Sequence, residues 1–124
     1  MAVPIMKQGD VLIASMQEAL NDRALVQLRD ELSERVGRIR ARAVIIDVTS
    51  LDVLDSFATR TIRGIAQTAR LRGARTVVVG IQPDVAFAMV QLGLALEGVA
   101  TALDLEEGLS LVNGGATGSR RDAR

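Results

Sequence analysis

Three aspartates and four hydroxyls crowd one short stretch of this chain, Asp47-Val48-Thr49-Ser50-Leu51-Asp52-Val53-Leu54-Asp55-Ser56-Phe57-Ala58-Thr59-Arg60. These residue types support three kinds of chemistry. The side-chain oxygen of Asp55 or Ser56 can cap a helix by accepting its orphan N–H groups, Asp52 can cap a turn, and Asp47 can end a strand. Grouped carboxylates can hold Mg²⁺, which normally works beside substrate phosphates and the groups that bind them. A hydroxyl at a helix N-terminus can accept a phosphoryl group, which adds about −1.5 to −2 charge at one point on the surface. By composition alone, capping and turn roles are favoured over the other two.

The rest of the sequence narrows the choice. Its 124 residues include no histidine and no cysteine. Imidazole and thiolate metal ligands, disulfides and the usual general base of a Ser-His or Cys-His site are therefore excluded. Neither a GxxxxGK(S/T) loop nor a GxGxxG turn occurs, so the common phosphate cradles are missing too. No catalytic residue, metal or cofactor is expected, and a carboxylate-only hydrolase is the enzymatic alternative. Fifteen basic residues balance fifteen acidic ones, and over 1–113 the count is 12 against 14. With Phe57 and Phe87 as the only aromatics, neither the charge nor the stacking platforms of a nucleic-acid binder are present. Met1 to Met6 has no basic n-region, and no apolar run approaches a membrane span. A cytoplasmic protein is expected, with no membrane partner.

Changes in hydrophobic period place these residues on elements. Val3-Pro4-Ile5-Met6 and Val11-Leu12-Ile13-Ala14, either side of Gly9-Asp10, predict a hairpin. Leu25, Leu28, Leu32, Val36 and Ile39 mark an amphipathic helix capped by Asn21 or Asp22. Ala43 to Val48 is an uninterrupted β-branched run, as in a strand covered on both faces. A second helix starts near Ser56, with Ile62, Ile65, Ala66 and Ala69 on one side and Gly73 as its stop. Thr76 to Val79 is the next strand, Pro83 opens a third helix, and Val99 to Leu103 is a short strand. Asp104 with Glu107 resembles a capping box for a last helix ending at Asn113-Gly114-Gly115. The order β-β-α-β-α-β-α-β-α predicts one α/β domain over 1–113, with a mostly parallel mixed sheet of about five strands and four helices. Residues 114–124 read as a frayed tail.

A second notable stretch is Pro83 to Leu96, where Asp84 is the only charge among Val85, Phe87, Met89, Val90, Leu92, Leu94 and Leu96. Such a helix is either buried all round or exposes an apolar patch that a protein partner covers. Asp84, Phe87, Met89 and Gln91 are the contact residues this reading selects.

Val44-Ile45-Ile46-Asp47-Val48-Thr49-Ser50-Leu51-Asp52 followed by Asp55-Ser56-Phe57 resembles the STAS domain of bacterial anti-sigma factor antagonists. Leu71-Arg72-Gly73-Ala74, Gly80-Ile81-Gln82-Pro83 and Thr101 to Gly108 extend the likeness over about Val3 to Val112. Together with the short length, these blocks look closest to the small scaffold subunit of the stressosome. The resemblance implies a non-enzymatic phospho-switch whose unphosphorylated form sequesters a GHKL-type serine/threonine kinase together with a larger STAS co-scaffold paralogue. Phosphorylation releases the kinase, and a phosphatase resets the system; homo- or hetero-oligomers are expected. The phosphorylated serine falls on Ser56, with Thr59, Ser50 and Thr49 as lesser candidates. Asp52, Asp55, Phe57, Thr59 and Arg60 would join Ser56 in partner contacts. A second site just before the Gly-Ile turn is not implied, because Val79 stands there. A simpler anti-sigma antagonist that binds its kinase directly is the alternative.

Overall fold

A computed structural model of the chain describes residues 3–113. The tail expected over 114–124 lies outside the described residues. Gly9, at φ +63°, lets the chain reverse within two residues, so that β1 (Ile5–Gln8) pairs antiparallel with β2 (Val11–Ser15). The strand starts two residues later than the apolar run predicts, after Pro4, which cannot donate to a ladder.

The remaining elements follow in the expected order. Helix α1 (Asp22–Ile39) begins at Asn21, whose Oδ1 accepts from the Ala24 amide at 2.8 Å. Strand β3 (Ala43–Asp47) leads to α2 (Ser56–Leu71), and β4 (Arg75–Val79) to α3 (Pro83–Gln91). Strand β5 (Ala100–Ala102) precedes α4 (Leu105–Asn113). The helix after Pro83 is shorter than the apolar stretch, because Gly93 at φ +70° turns the chain out of it. The last strand is also shorter than predicted, since Val99 and Leu103 fall outside it.

The strands lie in the sheet in chain order, β1-β2-β3-β4-β5, and every pair after the hairpin is parallel. Right-handed crossovers that always step in one direction leave all connecting helices on one face. That face packs Leu12, Ala14, Val44, Ile46 and Val78 against the apolar stripes of α1, α2 and α3. The alternate strand residues Val11, Ile13, Ala43, Ile45, Val77 and Val79 point to the other face, which α4 covers with Leu105, Leu109 and Val112. This helix lies close against the sheet because Gly108 has no side chain, and a Cβ there would stand 2.6 Å from Val79 Cγ1. Arg42 fastens its far end, bonding Asp10 Oδ1 from Nε at 2.7 Å, the Val112 carbonyl from Nη1 at 2.6 Å, and Asn113 Oδ1 from Nη2.

Candidate functional site at the start of helix α2

Open parallel sheets gather functional residues where strands end and helices begin. Asp47 ends β3 and turns back into its own loop, with Oδ1 accepting from the Thr49 amide at 2.9 Å and its hydroxyl at 2.6 Å. Gln82 Nε2, from the loop after β4, donates to the Thr49 carbonyl at 2.6 Å. Gly80 makes this approach possible: its φ is +83°, and a Cβ there would run into the Thr49 side chain. The two loops at this end of the sheet are therefore tied together. Sequence reasoning missed the tie, since nothing in local spacing signals a bond between residues thirty-three apart.

Leu51 and Leu54 anchor the intervening loop in the core, while Asp52 and Val53 face solvent. Asp55 is the N-cap of α2, and its Oδ1 accepts from the Ala58 amide at 2.8 Å. Ser56 is the first helical residue and is exposed, as the spacing predicts. Phe57 is half-buried, and the Arg60 guanidinium lies 5.9 Å from its ring centroid, a cation–π contact that holds Arg60 alongside the first turn.

Thr59 requires a correction. It is 0% exposed, and its hydroxyl donates to the Asp55 carbonyl at 2.9 Å. A side chain turned into the core can be neither an accessible phosphoacceptor nor a partner contact. Thr49 and Ser50 are exposed, although the Thr49 hydroxyl is already donated to Asp47. The three aspartates also differ from a joint negative cluster: Asp47 serves its turn, Asp55 serves the cap, and Asp52 is exposed. Among the described residues, no group of three or more acidic side chains converges as a metal ion would need.

On α3, Val85 and Met89 point into the core at 4% and 7% exposure, whereas Phe87, Val90 and Leu92 are exposed. Met89 is therefore mostly buried rather than outward-facing, and the little surface it keeps lines a groove beside α3. Asp84 and Gln91 are exposed as expected. An apolar groove of about 440 Å³ runs between α3 and the β5–α4 corner, lined among others by Ile81, Ala86, Val90, Leu96 and Leu103. No helix among the described residues is long and apolar enough to cross a membrane.

The family model of the STAS domain matches residues 2–108. The chain belongs to the STAS-domain family. Its five-stranded mixed sheet with four helices is the fold of a STAS domain, and solved STAS structures resemble it over most of its length. A serine-to-glutamate variant of RsbS from Moorella thermoacetica is 35% identical, with 93% of this chain and 97% of that one covered and a TM-score of 0.81. A chain from the molecular architecture of the stressosome, a signal integration and transduction hub, is 36% identical, with 91% and 98% covered and a TM-score of 0.78. The RsbT co-antagonist protein RsbRA of Bacillus subtilis (strain 168) is 31% identical over 83 residues, or 67% of this chain. The chain spans 30% of the length of that curated relative.

Proposed function

We propose that this STAS domain is a non-enzymatic, cytoplasmic scaffold of a stressosome and that Ser56 is its switch. In the unphosphorylated state it holds a GHKL-type serine/threonine kinase, together with a larger STAS co-scaffold paralogue. Phosphorylation of Ser56 by that kinase releases it, and a phosphatase restores the binding state. The observation that carries this reading is the exposed Ser56 hydroxyl at the first position of α2, in a chain similar over nearly its whole length to RsbS.

The local chemistry supports a change of surface rather than of fold. Asp55 already caps the first turn, so a phosphate on Ser56 is not needed to hold the helix. It would sit favourably in the helix dipole while placing its charge beside the Asp55 cap, on the surface where a partner docks. Arg60 is held within the same turn to meet either the phosphate or the partner. The outward side chains Asp84, Phe87 and Gln91, with Val90 and Leu92, offer a second contact surface along α3, which starts at the same end of the sheet as α2.

Mass spectrometry after incubation with the co-purified kinase and ATP tests the switch. Phosphate is expected on Ser56, and Ser56→Ala is expected to stay bound to the kinase after ATP is added. Unchanged phosphate incorporation in that variant rejects the assignment. Native pull-down distinguishes the scaffold from the simpler anti-sigma antagonist: a megadalton assembly supports the scaffold, and a binary kinase complex supports the antagonist.

A further inference from the structure

From Ser56 to Pro83 the chain carries five arginines, Arg60, Arg63, Arg70, Arg72 and Arg75, and no aspartate or glutamate, although the whole protein is neutral. On α1 the pattern is different, because Arg29, Arg35 and Arg38 each stand within 4.0 Å of an acidic partner on the same helix. Among the described residues, none of the five arginines between Ser56 and Pro83 has an acidic side chain within that distance.

Two of them face one cleft. Arg70, at the end of α2, and Arg75, at the start of β4, line an open cavity of about 440 Å³ with Ala66, Gly73, Thr76 and Gly98. Both arginines are exposed. Arg42 forms another part of the rim, but its guanidinium is committed to Asp10 and the end of α4. Arg72 lies elsewhere, packed over Gly37 of α1. Among the described residues, the buried Thr76 hydroxyl in the lining has no hydrogen-bond partner.

We propose that this cleft docks an acidic segment of a protein partner, with Arg70 and Arg75 taking its carboxylates. Guanidinium forks match carboxylates in bidentate geometry, and two unpaired forks on one cleft favour successive acidic side chains of an extended segment. Gly73 and Gly98 leave the rims without side chains, so a peptide backbone can approach. A nucleotide fits less well, because the lining offers no aromatic ring on which a base could stack. The cleft lies at the far end of α2 from Ser56, with Arg70 roughly 21 Å along the helix at 1.5 Å per residue. It is thus a surface separate from the switch, and its test does not depend on Ser56.

The probe is a fluorescein-labelled hexaglutamate peptide titrated into the full chain at low ionic strength, with anisotropy for affinity and amide NMR for location. Amides of Arg70 to Thr76 and Gly98 are expected to shift, while those of Asp55 to Phe57 stay in place. Arg70→Gln combined with Arg75→Gln is expected to weaken binding by about tenfold or more, with the melting temperature lowered by no more than a few degrees through loss of the Arg70 charge from the last turn of α2. Physiological salt is expected to weaken binding of the unaltered chain. Three results overturn the proposal: shifts confined to other surfaces, equal affinity in the double variant, or ATP or inorganic phosphate saturating the same amides at lower concentration than the peptide. The last of these reassigns the cleft to small polyanions.

Discussion

The same substitution at two helical glycines is expected to change stability in opposite directions. Gly64 lies inside α2, where a Cβ would meet nothing within 4 Å. Alanine there removes the entropic cost of an interior glycine, so Gly64→Ala is expected to stabilise the fold by about 0.5–1 kcal/mol. Gly108 lies inside α4, and its replacement brings the same propensity gain. Its Cβ, however, would press on Val79 Cγ1 at 2.6 Å, with Ile45 Cδ1 and Val77 Cγ1 each 3.8 Å away. Val79 is fully buried and β-branched, so its side chain has little freedom to move aside. Overpacking of this kind costs about 1–3 kcal/mol, which outweighs the propensity gain. The difference between the two variants isolates the packing term, and at this chain length each kcal/mol moves Tm by roughly 3–5 °C. Urea unfolding with a shared m-value, followed by a thermal scan, measures both. If Gly108→Ala stabilises the protein to within about 0.5 kcal/mol of Gly64→Ala, the close approach of α4 to the sheet is wrong.

Arg42→Met keeps an unbranched apolar stem and removes the guanidinium with its hydrogen bonds to Asp10, Val112 and Asn113. A loss of about 1–3 kcal/mol is expected, with faster amide hydrogen exchange concentrated in the last turn of α4. Asp55→Ala removes the cap that accepts from the Ala58 amide; a loss of about 1 kcal/mol in urea unfolding is expected, and an unchanged midpoint would contradict the capping role. Thr59→Val leaves volume in place and removes a buried hydroxyl that bonds the Asp55 carbonyl. Phosphate incorporation at Ser56 in this variant should match that of the unaltered chain, and its loss would show that Thr59 does more than pack.

Much of the architecture was legible because its signals are local. Asn21 and Asp55 cap the helices they precede, and the β-branched runs at Val44 and Val77 form central strands. What escaped lies in the choice between equivalent faces. An apolar helix such as α3 does not announce that Val85 and Met89 turn inward while Phe87 and Val90 turn outward. Strands apolar at every position leave open which helix covers which side, and only the structure gives one face to α4 alone. Thr59 was readable in principle: it stands three residues before Ile62 and seven before Ala66, on the helical stripe that the core claims. Its hydroxyl suggested solvent, yet donation to the Asp55 carbonyl removes the penalty for burying it.

The division of the two sheet faces bears on how the chain is made. Strands that pair in chain order can each join a neighbour that has already left the ribosome, with α1, α2 and α3 covering one side in turn. The other side has no such schedule. Val11, Ile13, Ala43, Ile45, Val77 and Val79 wait for α4, the last element in chain order among the described residues. A chain truncated before Leu105 and released would therefore keep all five strands but leave one apolar face of the sheet bare, a form prone to aggregation and to capture by chaperones.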